Sequence, residues 1–568
     1  MKFRWQTAEP QPAACARLCE SAPISSLLAQ CLVNRGFAGP EDAARFLQPR
    51  LKNLADPFLL PNMNAAVERL LAAQARGELL VIFGDYDVDG VTATALLLQT
   101  LGALGWKLAH YLPHRMDEGY GFTREATAAC VEKFQPRLIL AVDCGSTACD
   151  TIAALREQGI DVIVLDHHQV ASPAPPAVAL VNPQLGGAFQ ELCSAGLAFK
   201  LVHAILKRMR ERGLAGATEP DLRLHLDLVA LGTIADQAPL RGENRIFAAA
   251  GLARLDASHR PGLAALKAVA KCAAPLGSYE AAFQLAPRLN AAGRIQDAEA
   301  ALRLLLARDA AEAGPLAADL DQRNRERQRI EREICEEVLG LLRARFDAAR
   351  DLVIVEGHEK WHIGVVGIVA ARVLQEFHRP TVILGGDGAM WRGSGRSIEG
   401  FDLAAALRDC ASLLARHGGH ALAAGVTLLP ENVTALRERL NELARQALPD
   451  GPLPPSLLLD GNVEAHELTL ERVEELGRLE PVGQGNAPVR LAVCGLRHAS
   501  APQRMGKENQ HVKFRVTDGR QTLEAVWWNG GSERWPVDRF DLAATASINE
   551  FKGRRAVQLN ILDWRESG

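Results

Sequence analysis

At 568 residues with 48% hydrophobic content, the chain can bury several cores, and three or four domains are expected. No apolar run approaches the ~18 residues of a membrane span, MKFRWQTAEPQ lacks the apolar heart of a secretory signal, and eleven cysteines without a CxxC pair read as reduced thiols. A membrane protein and a disulfide scaffold are therefore excluded, cytoplasm is the expected compartment, and the net charge of −4 rules out coating nucleic acid by bulk positive charge.

In chain order, residues 1–70 show helical patterning (SSLLAQCLVNRGF, EDAARFLQ) and are expected to form a helical lead-in packed on the first α/β unit. Residues 71–240 alternate apolar strands with helices, which predicts a right-handed parallel sheet. Residues 241–348 read as a helical connector ending in a long helix from Leu316 to about Phe346, with Ile330, Ile334, Val338 and Leu341 at helical spacing. Its five arginines, Arg323, Arg325, Arg327, Arg329 and Arg332, read either as a solvated face paired as Asp319–Arg323 and Asp321–Arg325 or as a lining for a strand's phosphates.

Residues 349–450 hold a second α/β unit, DGPLPPS is a linker, and 455–568 carries the short alternating strands of a β-barrel. In that barrel, His511, Lys513 and Arg515 should share one face, with Val512, Phe514 and Val516 on the other. At most one of Trp527 and Trp528 should be exposed.

The chemistry concentrates where apolar strands stop. LLVIFG runs into Asp85, Asp87 and Asp89, then Gly90; the following helix is expected over Val91–Leu101. RLILAV runs into Asp143 and IDVIVL into Asp166, His167 and His168, while the helix-like LDLVALGTIAD closes on a fourth candidate, Asp236. In a parallel sheet these strand ends share one edge, the place where such sheets bind ligands. Carboxylates so crowded repel one another unless a cation offsets them. Carboxylates with imidazole and no nearby thiolate suit Mn²⁺ or Mg²⁺, and the set is large enough for two ions, the usual device for hydrolysing phosphate esters.

DYDVDG, VDCG, LDHH and GTIAD resemble the ordered motifs of the DHH phosphoesterase superfamily. EKWHIGVVGIVAARV, WRGSGRSIEGFDL and HGGHALAAGV resemble its DHH-associated domain in the nuclease branch, and with the tail beyond residue 455 the chain is similar to RecJ-type enzymes. The resemblance implies an α/β fold: a two-domain core, DHH (71–240) and DHH-associated (349–450), joined by a long helix, and a C-terminal OB-fold-like barrel. It implies a single-stranded-DNA-specific 5′→3′ exonuclease releasing 5′-mononucleotides, with two Mn²⁺ or Mg²⁺ ions, in recombination and repair.

On the same resemblance, Asp87, Asp89, Asp143, His167 and Asp236 are the metal ligands, Asp85 a ligand or a support, and His168 a contact to the scissile phosphate. Arg115, Tyr120, Ser394 and Arg396 would hold a 5′-terminal phosphate, while Arg288, Asn290 and Arg294 of PRLNAAGR and His420 of HGGH would contact the backbone. Implied partners are single-stranded DNA, single-strand-binding protein and a RecQ-like helicase, with a monomeric enzyme. Superfamily members acting on oligoribonucleotides, cyclic dinucleotides or pyrophosphate share the metal motifs, and an inert scaffold would have lost them.

Overall fold

The computed structural model describes every residue except 1, 115–117, 119–120, 188, 217–219, 296–297, 450 and 568. The chain divides into two compact units, residues 3–320 with 456–568, and residues 321–455. Among the described residues, no helix is long and apolar enough to cross a membrane.

The first unit is built on a five-stranded parallel sheet in the spatial order Lys107–Tyr111, Leu79–Gly84, Leu138–Val142, Asp161–Leu165, Ala179–Val181. Leu80–Phe83 and Leu138–Val142 are fully buried, as strands covered on both faces must be. Numbered along the chain, the order is 2-1-3-4-5. The direction of winding therefore reverses between Leu79–Gly84 and Leu138–Val142, and the crevice at such a switch point is where doubly wound sheets take ligands. Asp85–Asp89 and Asp143 follow those two strands.

The helix after the first strand begins three residues before the expected Val91, spanning Val88–Ala103. Two local features cause this. The carboxylate of Asp87 accepts from the amides of Asp89 (2.9 Å) and Gly90 (3.2 Å), capping the helix. Gly90 also lies so close to Asp85 that a Cβ there would sit 2.6 Å from the Asp85 carbonyl oxygen, so only glycine lets this first turn rest on the loop.

The lead-in differs from expectation. Helices Pro12–Ser21, Ser26–Asn34 and Pro40–Leu47 form their apolar cluster with Leu476 and Leu479 of the C-terminal region rather than with the parallel sheet. An unanticipated strand, Arg4–Thr7, pairs in parallel with Ser456–Leu459. The core that surrounds the sheet is joined instead by the helix Met63–Arg76 and by Leu51, Leu54, Phe58 and Leu60 ahead of it.

The C-terminal strands close into a barrel: Leu491–His498 pairs with Phe540–Phe551, that with Arg554–Glu566, then Thr522–Trp527, then His511–Thr517, which returns to Leu491–His498. Five strands closed in this way are the OB arrangement. Val512, Phe514 and Val516 point into the barrel while Arg515 is exposed, and Trp527 is buried beside a Trp528 that is 55% exposed, as strand alternation requires.

In the second unit a five-stranded sheet has the order Arg416–His420, Ala423–Leu428, Met390–Arg396, Thr381–Asp387, Ile354–His358, and only the last pair is parallel. The long helix spans Ala310–Arg345, starting six residues earlier than Leu316. Ile334, Val338 and Leu342 face its core; Leu341, expected there, is exposed. Arg325 pairs with Asp321 at 2.5 Å, Arg329 with Glu326 and Glu333 at 2.6 Å each, and Arg327 with a buried Glu331 at 2.8 Å. These contacts favour a carboxylate-paired face for the arginine row over a phosphate lining.

Candidate metal centre

The switch-point edge of the parallel sheet gathers seven sequence-predicted side chains. Potential ligand atoms lie within 4.8 Å of one another in three overlapping sets: Asp85, Asp87 and Asp143; Asp143, His167 and His168; and Asp89, His167 and Asp236. The first two sets share Asp143 and the last two share His167, so they form one continuous array.

The array is held rigidly from behind. Helix Ser194–Glu211 aims its first amides at Asp89: Ser194 N–H donates to one carboxylate oxygen at 2.6 Å and Ala195 N–H to the other at 2.8 Å. The Ser194 hydroxyl donates to Asp143 Oδ1 at 2.8 Å, so one residue ties together carboxylates from two different strand ends. Asp143 is 1% exposed and adopts φ +65°, a conformation uncommon outside glycine, asparagine and aspartate.

Asp166 is a support rather than a lining residue. One of its oxygens accepts from the amides of His167 (2.8 Å) and His168 (3.2 Å) and bonds His168 Nδ1 at 2.7 Å, while the other accepts from Ser146 N–H at 3.1 Å. Asn182 extends this layer by donating to the Ser146 hydroxyl and the His168 carbonyl, both at 2.8 Å.

The electrostatics of the array call for cations. Burial raises the Asp143 carboxyl well above its ordinary range, and the charges of Asp87, Asp89 and Asp85 add to the effect. Asp89 is raised by burial, partly offset by His167. Burial and then Asp89 and Asp87 push Asp236 up to about 8. Burial lowers His167, outweighing Asp89, and keeps the imidazole neutral, the form that ligates metal. Its Nε2 is buried and makes no hydrogen bond among the described residues, lying 3.3 Å from Asp143 Oδ1, 3.7 Å from Asp236 Oδ2 and 3.8 Å from Asp89 Oδ2.

His168 behaves oppositely. Burial opposes its charge, yet the hydrogen bond and charge of Asp166 outweigh that and raise it to about 9, which suits contact with a phosphate better than ligation of a cation.

Two buried cysteines, Cys193 and Cys144, adjoin these carboxylates, and the expectation of no nearby thiolate is met by their protonation. Burial and then the acidic neighbours raise both thiols well above their ordinary range. They stay protonated, so the donors offered are oxygen and imidazole nitrogen, a set that fits Mn²⁺ or Mg²⁺.

The remaining sequence-predicted residues fall into three groups. Asn290 accepts from Val88 N–H at 3.2 Å, and a Cβ on Gly293 would lie 2.9 Å from the Tyr86 carbonyl oxygen, so helix Ala286–Ile295 buttresses the aspartate loop. Asn290 thereby has a positioning task in this loop. Arg288, on the same helix, donates to the Gln284 carbonyl at 2.5 Å, and Arg294 lies in its last turn.

In the second unit, Ser394 and Arg396 share the strand Met390–Arg396, and Arg396 donates to the Ser394 hydroxyl at 2.9 Å. His420 ends an exposed strand of the same sheet. Arg115 and Tyr120 lie outside the described residues. Sequence reasoning missed Ser194, Ser146 and Asn182; the small residues opening SAGLAFK were the one available sign of a helix start close to a ligand.

Comparison with known proteins agrees with this layout. The DHH family N-terminal domain matches residues 79–233, the DHHA1 domain 350–446 and the RecJ OB domain 459–563. The single-stranded-DNA-specific exonuclease RecJ of Dickeya dadantii is 36% identical, over 97% of this chain and 97% of the relative. The chain belongs to the RecJ family. Bacillus subtilis RecJ is also 36% identical, with 99% of this chain and 71% of the relative covered. The crystal structure of Thermus thermophilus RecJ in complex with Mn²⁺ superposes with a TM-score of 0.86 at 32% identity, covering 100% of this chain and 80% of that one. The same protein in complex with Mg²⁺ gives 0.79 at 29% identity.

Proposed function

We propose that this RecJ family member is a single-stranded-DNA-specific 5′→3′ exonuclease that hydrolyses phosphodiesters with two Mn²⁺ or Mg²⁺ ions, releasing 5′-mononucleotides. The observation that carries the metal chemistry is the continuous array of Asp85, Asp87, Asp89, Asp143, His167 and Asp236, whose buried carboxylates are too crowded to ionise together without cations.

When bound, the ions supply an activated water and offset charge developing on the phosphate oxygens. The chain's own part is geometric: Ser194 and Ala195 hold Asp89, Ser194 holds Asp143, and Asp166 orients His168 so that its imidazolium faces a non-bridging oxygen of the scissile phosphate. Strands labelled separately at each end test the assignment. Mononucleotides should appear from the 5′ end only, with Mn²⁺ or Mg²⁺ and not with chelator; release from the 3′ end sinks it.

Direction of attack is assigned to Arg396 and Ser394. Burial lowers Arg396 from its ordinary value, and no carboxylate among the described residues neutralises it. Gly367, in the first turn of helix Val366–Phe377, is packed so closely that a Cβ would sit 3.0 Å from Ser394 Oγ and 3.4 Å from an Arg396 nitrogen. A helix amino end and a buried guanidinium both favour an anion, here a terminal phosphate. Arg396→Ala should cut the preference for 5′-phosphorylated over 5′-hydroxyl ends about 10-fold or more; equal loss on both kinds of end counts against the pocket. Single-strand-binding protein and a RecQ-like helicase are proposed as partners of a monomeric, cytoplasmic enzyme.

A further inference from the structure

Two large aromatic side chains stand out on the first unit because they are left in solvent. Phe283 is 68% exposed and Tyr279 62%, and their rings neighbour each other with centroids 5.2 Å apart at 37°. Isolated apolar side chains at a surface are ordinary; two adjacent exposed rings offer a larger planar apolar surface. Phe283 projects from a π-helical segment, Glu280–Leu285, that buries Ala281 and Leu285, and Tyr279 immediately precedes that segment. π-turns are rare and concentrate at functional sites.

The segment runs without a break into helix Ala286–Ile295, which carries Asn290 against the aspartate loop. Phe283 and Asn290 are seven residues apart, close to two helical turns. Seven residues advance a helix by about 10 Å at most, so Phe283 stands within that axial distance of the Asn290 contact. The aromatic pair thus stands on the helical run that braces the aspartate loop, with Phe283 at an axial separation from that brace equal to about three stacked nucleotides. Arg288 and Arg294 add positive charge along the same helix.

We propose that Tyr279 and Phe283 form a stacking platform for unpaired bases of the strand whose 5′ end is being removed. The proposal rests on the exonuclease reading above and adds a physical source of single-strand preference: a base inside a duplex has no free face to offer, whereas an unpaired base stacks on an aromatic ring whatever its identity.

The test uses the full chain and 5′-phosphorylated oligonucleotides carrying one abasic site stepped along the strand, with binding read by fluorescence anisotropy in chelator. Wild type should lose about 5- to 100-fold in affinity when the abasic site falls at one or two adjacent positions a few nucleotides from the 5′ end, and little elsewhere. Phe283→Ala should bind the intact strand more weakly and flatten this positional profile, and Phe283→Trp should restore it. A flat wild-type profile overturns the platform without any variant. A Phe283→Ala profile that keeps the wild-type dip also overturns it and leaves the pair as a surface for a protein partner. Release of nucleotides from the 3′ end would instead defeat the underlying functional reading, so the two failures are distinguishable.

Discussion

An Asp143→Asn variant should lose about 10³-fold or more in exonuclease rate, and with it the thermal stabilisation that Mn²⁺ gives the wild-type protein. A ligand that binds only the folded state at 100 times its Kd adds about 2.7 kcal/mol, so wild type should melt several degrees higher with Mn²⁺ than with chelator, while the variant's two melting curves should nearly coincide. The comparison in chelator is equally informative. Asparagine tolerates the φ of +65° at this position and removes one acid from a buried cluster of like-charged groups. The metal-free variant should therefore melt no lower than metal-free wild type, and a gain is expected. An Mn²⁺-induced shift of equal size in both proteins would remove Asp143 from the ligand set.

The second large effect lies away from the chemistry. Arg245, on helix Gly242–Asp256, is 2% exposed. Its guanidinium donates to the carbonyl oxygens of Phe46 (2.8 Å), Leu479 (3.0 Å), Pro481 (3.2 Å), Arg478 (3.3 Å) and Glu480 (2.8 Å), using every N–H it has, and it stacks 3.7 Å from the centre of the Phe46 ring. Burial lowers it to about 10, which leaves it charged at neutral pH. One side chain thus joins the lead-in helices, the helical layer and the approach to the OB barrel.

Arg245→Ala leaves buried carbonyls without donors and should cost about 3–5 kcal/mol, read by denaturant unfolding. Proteolytic cleavage should appear first near residues 478–486. Arg245→Lys should recover only part of the loss, because three rotatable donors cannot replace a planar five-donor fork. A change below 1 kcal/mol in Arg245→Ala would show that water replaces the guanidinium without cost.

The two predictions mark the boundary between what was and was not legible in the chain. Asp85, Asp87, Asp89, Asp143, His167, His168 and Asp236 could be picked out because each ends an apolar run, and parallel sheets place their strand ends on one edge. The same periodicity marked the barrel strands, where Val512, Phe514 and Val516 alternate with polar neighbours. Arg245 carries no such mark: its neighbours in GENRIF are unremarkable, and its five acceptors come from residue 46 and residues 478–481. Ser194 is similar, with its partners Asp143 and Asp89 51 and 105 residues away. Leu341 was placed in the core by spacing of four and three, yet Leu342 holds that position, because one residue of phase along a 36-residue helix is decided by the surface it meets.

By itself, then, the sequence determined the fold class, the acids and histidines that line the centre, and the strand-to-helix order that brings them to one edge. Those properties are local: burial pattern, period and turn chemistry are written in neighbouring residues. Only the tertiary structure decided which carboxylates are pinned and by what, that Asp166 supports rather than lines the site, that Asn290 braces the aspartate loop, that nearby thiols stay protonated, and that the lead-in helices pack with the C-terminal segment. Each of these depends on distant parts of the chain meeting within hydrogen-bond or van der Waals range, and no periodicity records such meetings.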